Sequence, residues 1–162
     1  MSDITVSTPG PIGMITLRGA MEVLGSVVTK VTGCALPERR KFSVSGAYAA
    51  LWMSPDELLL VCDHDEADEI AKRLTTELGA AFATVAVVSD ARAVFDLAGP
   101  EAHRALAKLC PVDFPRLAEN EVRRTRMAQV PAALWRHGEG WRVVCFRSVA
   151  GYAERLLTNA AA

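Results

Sequence analysis

A short apolar run from Ile12 to Leu17 ends at Gly19, and in the segment after it Ala20, Leu24, Val28 and Val31 fall on one helical stripe. The pattern predicts strand, turn, helix. A Pro-containing loop with the basic run Arg39-Arg40-Lys41 leads into Ser43 to Met53, rich in strand formers, then a turn at Ser54-Pro55-Asp56 and the apolar run Leu58 to Cys62. These read as the two arms of a hairpin. Over residues 65 to 78 the side chains of Ala67, Ile70, Ala71, Leu74 and Leu78 share one face. Acidic residues open that segment and Lys72 and Arg73 follow, which suits a helix dipole and pairs Asp68 with Lys72. A further strand is expected at 82 to 88.

The second half runs through the same series. Ala91 to Leu97 alternates as a strand does, Pro100 suits a first helical position, and Ala102, Ala105, Leu106 and Leu109 make the stripe of a short helix ended by Pro111. A long Pro-containing loop covers 111 to 121. Thr125 to Arg136, a His137-Gly138-Glu139-Gly140 turn and Trp141 to Phe146 form a second hairpin, and a helix follows from Val149 with Ser148 as its expected N-cap.

The chain also matches itself. Ala49-Ala50-Leu51-Trp52 recurs 83 residues on as Ala132-Ala133-Leu134-Trp135, and Val61-Cys62 recurs at the same offset as Val144-Cys145. Strand, helix, hairpin, helix in each half predicts an α+β fold of two pseudo-repeated ferredoxin-like, split βαβ halves. The expected boundaries are a flexible N-terminal arm at 1–11, a first half at 12–88 and a second at 89–162. Because Leu58 to Cys62 is apolar at every position, both sheet faces need cover, from the other half or from another chain.

Composition narrows the class. The 162 residues are 51% hydrophobic and carry a formal charge of -1, so no strong overall field draws the chain to nucleic acid or an anionic membrane, and neither is an expected partner. No apolar run approaches the roughly 20 residues of a spanning helix, and no basic-then-apolar leader opens the sequence, which points to a cytoplasmic protein. The charge is uneven. Residues 1–89 hold 7 basic and 11 acidic side chains (-4) and residues 90–162 hold 11 and 8 (+3), ten of those eleven being Arg, a residue suited to protein interfaces.

Candidate chemistry is sparse. Cys34, Cys62, Cys110 and Cys145 lie far apart with no C-x-x-C pair and read as reduced, buried thiols. His64, His103 and His137 occupy an acidic helix start, a helix flank and a turn, with no nucleophile motif near them. Glycine-rich phosphate loops and zinc signatures are absent from the sequence, and Arg142 to Phe146 lacks the glycine and paired aromatics of an RNA-binding sheet.

The run from Ala91 through Asp96-Leu97-Ala98-Gly99-Pro100-Glu101-Ala102, then Leu106 to Asp113, Thr125-Arg126, Val130-Pro131 and Phe146-Arg147-Ser148, together with Leu51 to Leu60, resembles the gamma subunits of heterotetrameric sarcosine oxidase. The Leu97-x-Gly99-x-x-Ala102-x-x-x-Leu106 spacing is more distantly similar to the aminomethyltransferase superfamily of the glycine cleavage system. The resemblance implies a non-catalytic assembly chain of a complex that demethylates sarcosine to glycine, yielding formaldehyde or methylene-tetrahydrofolate and hydrogen peroxide. It implies alpha, beta and delta subunits as partners, with FAD, FMN, NAD and tetrahydrofolate in the complex, zinc in the delta subunit and no cofactor in this chain. The alternative is a stand-alone folate-binding or methyl-transfer protein of the same fold, which would need a carboxylate aimed at the pterin, with Asp96 and Asp113 as the candidates. The Pro loop is expected to expose Phe114 beside charge, with Cys110, Asp113, Phe114, Arg126 and Arg147 forming the partner interface.

Overall fold

In the computed structural model, which describes residues 4–162, the ten strands among those residues form two five-stranded antiparallel sheets. Backbone contacts divide the chain into two units, Pro11–Ser89 and residues 4–10 with 90–162.

The first unit follows β2 (Ile12–Arg18), α1 (Met21–Thr32), β3 (Phe42–Ser45), β4 (Tyr48–Ser54), β5 (Glu57–Asp63), α2 (Ala67–Leu78) and β6 (Thr84–Val87). Its sheet order is β3-β4-β5-β2-β6. The inner four strands have ferredoxin-like order and β3 is added outside β4. The strand expected over Ser43 to Met53 is therefore two strands, reversed at Gly46, whose φ of 57° is easy for glycine. Helix α1 stops at Gly33 (φ 81°), whose N–H donates to the Thr29 carbonyl at 2.8 Å. The stripe it buries is Leu24, Val27 and Val28, rotated slightly from the one expected. Leu24, Val28, Ile70 and Leu74 pack onto Ile15, Leu17, Leu58 and Leu60 to form the core.

The second unit follows β1 (Thr5–Ser7), β7 (Arg92–Ala98), α3 (Ala102–Ala107), β8 (Val122–Met127), β9 (Val130–His137), β10 (Gly140–Phe146) and α4 (Ala150–Ala161), with sheet order β1-β7-β10-β9-β8. Its fourth inner strand is β1 (Thr5–Ser7), paired antiparallel to β7 as β6 is to β2. Of the arm expected at 1–11, residues 1–3 lie outside those described, and Thr5–Ser7 is an edge strand instead, with Val6 packed on the core. Two other expectations are corrected. Arg147–Val149 is a turn of 3-10 helix leading into α4, so Ser148 is not its N-cap, and α3 begins two residues after Pro100.

The hairpins align closely but not at every position. Cys62 and Cys145 hold equivalent places in β5 and β10, each in its unit's helix-side core. A bulge at Met53 shifts the register of β4, so Trp52 lies opposite Leu58 on the helix side. Trp135 lies opposite Arg142 on the other face, and Arg136 stands over the ring of Trp141 at 4.7 Å. Both faces of the inner strands are withdrawn from solvent, Leu51 and Leu59 as fully as Leu58 and Leu60.

Candidate functional site

The loop that follows α3 is built from the core outward. The Cys110 N–H donates to the Leu106 carbonyl at 2.8 Å, and the Ala128 N–H of the β8–β9 turn donates to the Leu109 carbonyl at 2.8 Å. Phe114, in a 3-10 turn at Phe114–Arg116, meets Trp141 edge-on with ring centroids 5.1 Å apart and is only 2% exposed. The loop thus does not expose its aromatic. Cys110 is buried as well, so these two residues hold the loop and cannot themselves face a partner.

Asp113 is exposed and pairs loosely with Arg116 at 3.4 Å, a contact of little energetic weight. Arg126 is exposed on the outer strand β8. Arg147 is exposed too, but its Nε and Nη2 donate to the carbonyls of Asp90 (2.6 Å) and Arg92 (2.9 Å). It therefore clamps the end of β10 to the start of β7.

Beside α3 lies an open hollow of about 520 Å³ lined by His103, Arg104, Lys108, Val112, Asp113 and Phe114. Two of its cations are engaged: Arg104 with Glu101 at 3.2 Å, and Lys108 with the carbonyl of Ala160, near the C-terminal end of α4, at 2.8 Å.

The other candidates are also committed. Asp96 accepts two 2.7 Å hydrogen bonds from the nearly buried Arg142, so its carboxylate is matched to a guanidinium and not to a pterin. All four thiols are buried; burial pushes Cys62 and Cys110 up to about 11, helped at Cys62 by Glu66 and Asp63, and raises Cys145 as well. His137 is held below its ordinary value by partial burial and by Arg142, with Asp96 opposing. Among the described residues no three His, Cys, Asp or Glu side chains are grouped to hold a metal, and no helix is long and apolar enough to cross a membrane.

Sequence reasoning missed Phe82. It was expected at the head of a strand, but β6 starts at Thr84, and Phe82 sits wholly exposed in the turn after α2. The signal was its place three residues after Gly79, the helix stop, among alanines.

A sequence model of the sarcosine oxidase gamma subunit family matches residues 18–162. The sarcosine oxidase subunit gamma of Corynebacterium sp. (strain U-96) is 36% identical over 142 residues, a match covering 85% of this chain. The chain spans just under two thirds of the length of that curated relative, at 63%. Among solved structures, a chain of the heterotetrameric sarcosine oxidase from Corynebacterium sp. U-96, in complex with pyrrole 2-carboxylate, matches with a TM-score of 0.88 and 27% identity, over 98% of this chain and 83% of that one. The glycine cleavage system aminomethyltransferase T from Bartonella henselae matches with a TM-score of 0.73 at 16% identity, over 99% of this chain and 47% of that one, a likeness of fold.

Proposed function

The chain belongs to the sarcosine oxidase gamma subunit family, and from that premise we propose that it is a non-catalytic assembly subunit of a heterotetrameric sarcosine oxidase. The complex would oxidise the N-methyl carbon of sarcosine, with dioxygen leaving as hydrogen peroxide. Water then releases that carbon as formaldehyde, or tetrahydrofolate takes it as the methylene form, and glycine is the other product. The observation that carries this reading is the 0.88 TM-score over 98% of the chain to a chain of such a complex.

The side chains support an assembly role. A flavin or nicotinamide dinucleotide needs a phosphate cradle of backbone N–H groups or uncommitted cations. The hollow beside α3 does not fit that need, since Arg104 and Lys108 already have partners. On the family resemblance, FAD, FMN, NAD and tetrahydrofolate would be held by other chains of the complex, and zinc by its delta subunit. The stand-alone folate reading draws on the aminomethyltransferase fold; of its two candidate carboxylates Asp96 is engaged by Arg142, which leaves Asp113, on the exposed loop, as the one open to a pterin. Asp113 and Arg126 are the exposed residues of the expected interface that remain available to a partner.

The test is co-expression of the tagged chain with the other chains of its complex. Recovery of flavin-containing partners with sarcosine-dependent hydrogen peroxide formation is expected, and a tagged chain that purifies alone and consumes sarcosine itself would overturn the reading.

A further inference from the structure

A strand at the edge of a sheet presents unpaired N–H and C=O groups, and proteins guard such edges with charge, proline, bulges or brevity. Three of the four edges among the described residues are guarded. β8 carries Arg123, Arg124 and Arg126; β1 is three residues long. β3, of the same four-residue length as β6, directly follows Lys41 and has its Ser43 hydroxyl donating to the Ala35 carbonyl at 2.5 Å, which brings another segment of chain against it. The fourth edge, β6, reads Thr84-Val85-Ala86-Val87, with no charge, proline or bulge, and pairs on one side only.

Two residues before β6 stands Phe82, with relative exposure of 102%, and Val87 at the strand's far end is 41% exposed. The ring is held out by its neighbours. The Ala81 N–H donates to the Leu78 carbonyl at 3.0 Å, and Ala83 packs against the core. Gly19, at φ 156°, gives the turn room: a Cβ there would meet the Ala83 Cβ at 3.0 Å and the Phe82 carbonyl oxygen at 3.2 Å. An anchored, wholly exposed aromatic beside an unguarded strand edge is the arrangement by which a partner adds a strand and takes an anchor side chain into a pocket.

We propose that β6 and Phe82 form a docking edge for an extended, uncharged segment of another chain of the oxidase, which pairs with β6 and receives the Phe82 ring in an apolar pocket. The inference rests on the assembly role proposed above. A different chain is the occupant because a solved structure matched over 98% of this chain, with a TM-score of 0.88, is a heterotetramer.

The test uses the co-expressed complex with a tag on this chain. Phe82→Asp with Val87→Lys should lower recovery of the other chains at least tenfold, and Phe82→Ser alone should lower it severalfold. Val44→Lys, an exposed change on β3, should recover them as the wild type does. In the intact complex the amides of residues 84–87 should exchange more slowly than in the isolated chain. Wild-type recovery by a Phe82→Asp/Val87→Lys chain with an unchanged melting temperature overturns the docking edge and leaves the assembly role standing. So does a homodimer of the isolated chain that Val87→Lys dissolves. A wild-type chain that recovers no partner overturns both.

Discussion

At Gly140 a side chain has no place to go: a Cβ there would lie 2.0 Å from the Leu97 carbonyl oxygen, so β7 and β10 would have to part. Gly138, in the turn just before it, has φ 57° with nothing within 4 Å of an added Cβ. The two glycines are thus required for different reasons, one for space and one for backbone conformation. Gly140→Ala is expected to destabilise by about 3 kcal/mol, as forced overpacking does, and Gly138→Ala by about 1 kcal/mol, the cost of a left-handed residue. Urea midpoints measured with the slope unchanged check the order. The thiols give a pH dependence. An unfolded chain releases thiol protons near pH 8.5, whereas Cys62 and Cys110 in the fold hold theirs to about 11. A raised folded-state value means that the unfolded chain is favoured once its thiols ionise, so this contribution is intact below about pH 8 and is lost as pH rises from there toward 11. Urea midpoints at pH 7.5, 9 and 10 should fall in that order, and a thiol reagent at pH 8 should leave Cys62 and Cys110 unmodified until the chain is unfolded.

Between β8 and β9 the chain reverses over Ala128 and Gln129, and Ala128 takes φ 50°. Glycine adopts that conformation without steric cost, so Ala128→Gly should stabilise the protein by about 0.5–1 kcal/mol, read as a higher melting temperature. The same turn shows why β8 and β9 were expected as one strand: Ala-Gln carries none of the residues that announce a reversal, and the Leu109 carbonyl that accepts the Ala128 N–H comes from a distant loop. Elements with strong local periodicity were legible. Helix α2, expected over 65–78, spans Ala67–Leu78, and β5 and β10 lie where their apolar runs put them. The repeat was legible as element order, but the bulge at Met53 turns Trp52 and Trp135 to opposite faces, and a large aromatic suits either buried face equally well. Phe114 was read as exposed because its neighbours are Pro, Asp and Arg. Its burial depends on Trp141 on another strand, which no local pattern encodes. Arg147 likewise owes its setting to the carbonyls of Asp90 and Arg92, more than fifty residues away in sequence, which no local pattern announces.

For the whole molecule the decisive feature is the borrowed strand. β1 completes a sheet whose other members begin at Arg92, with Thr5, Val6 and Ser7 paired to Ala98, Leu97 and Asp96. Val6→Asp is therefore expected to act far away in sequence, lowering amide protection in β7 and β10 while leaving β2 and β5 as they were. Loss of protection confined to Pro11–Ser89 would contradict the pairing. This connection also orders events on the ribosome. Translation delivers Thr5–Ser7 before, and β7 only after, all of Pro11–Ser89, which at about 5–20 residues per second is a wait of several seconds. During that interval the intervening unit has everything its own sheet requires and can fold, while β1 waits for the β7 neighbour it pairs with. Bringing that strand to β7 then closes one long loop, but a loop already filled by folded protein is far shorter end to end than the same residues as coil, and so costs less entropy to close. The first unit thus works as an internal scaffold for assembling the second, and a mutation that delays its folding should slow completion of a sheet to which it contributes no strand.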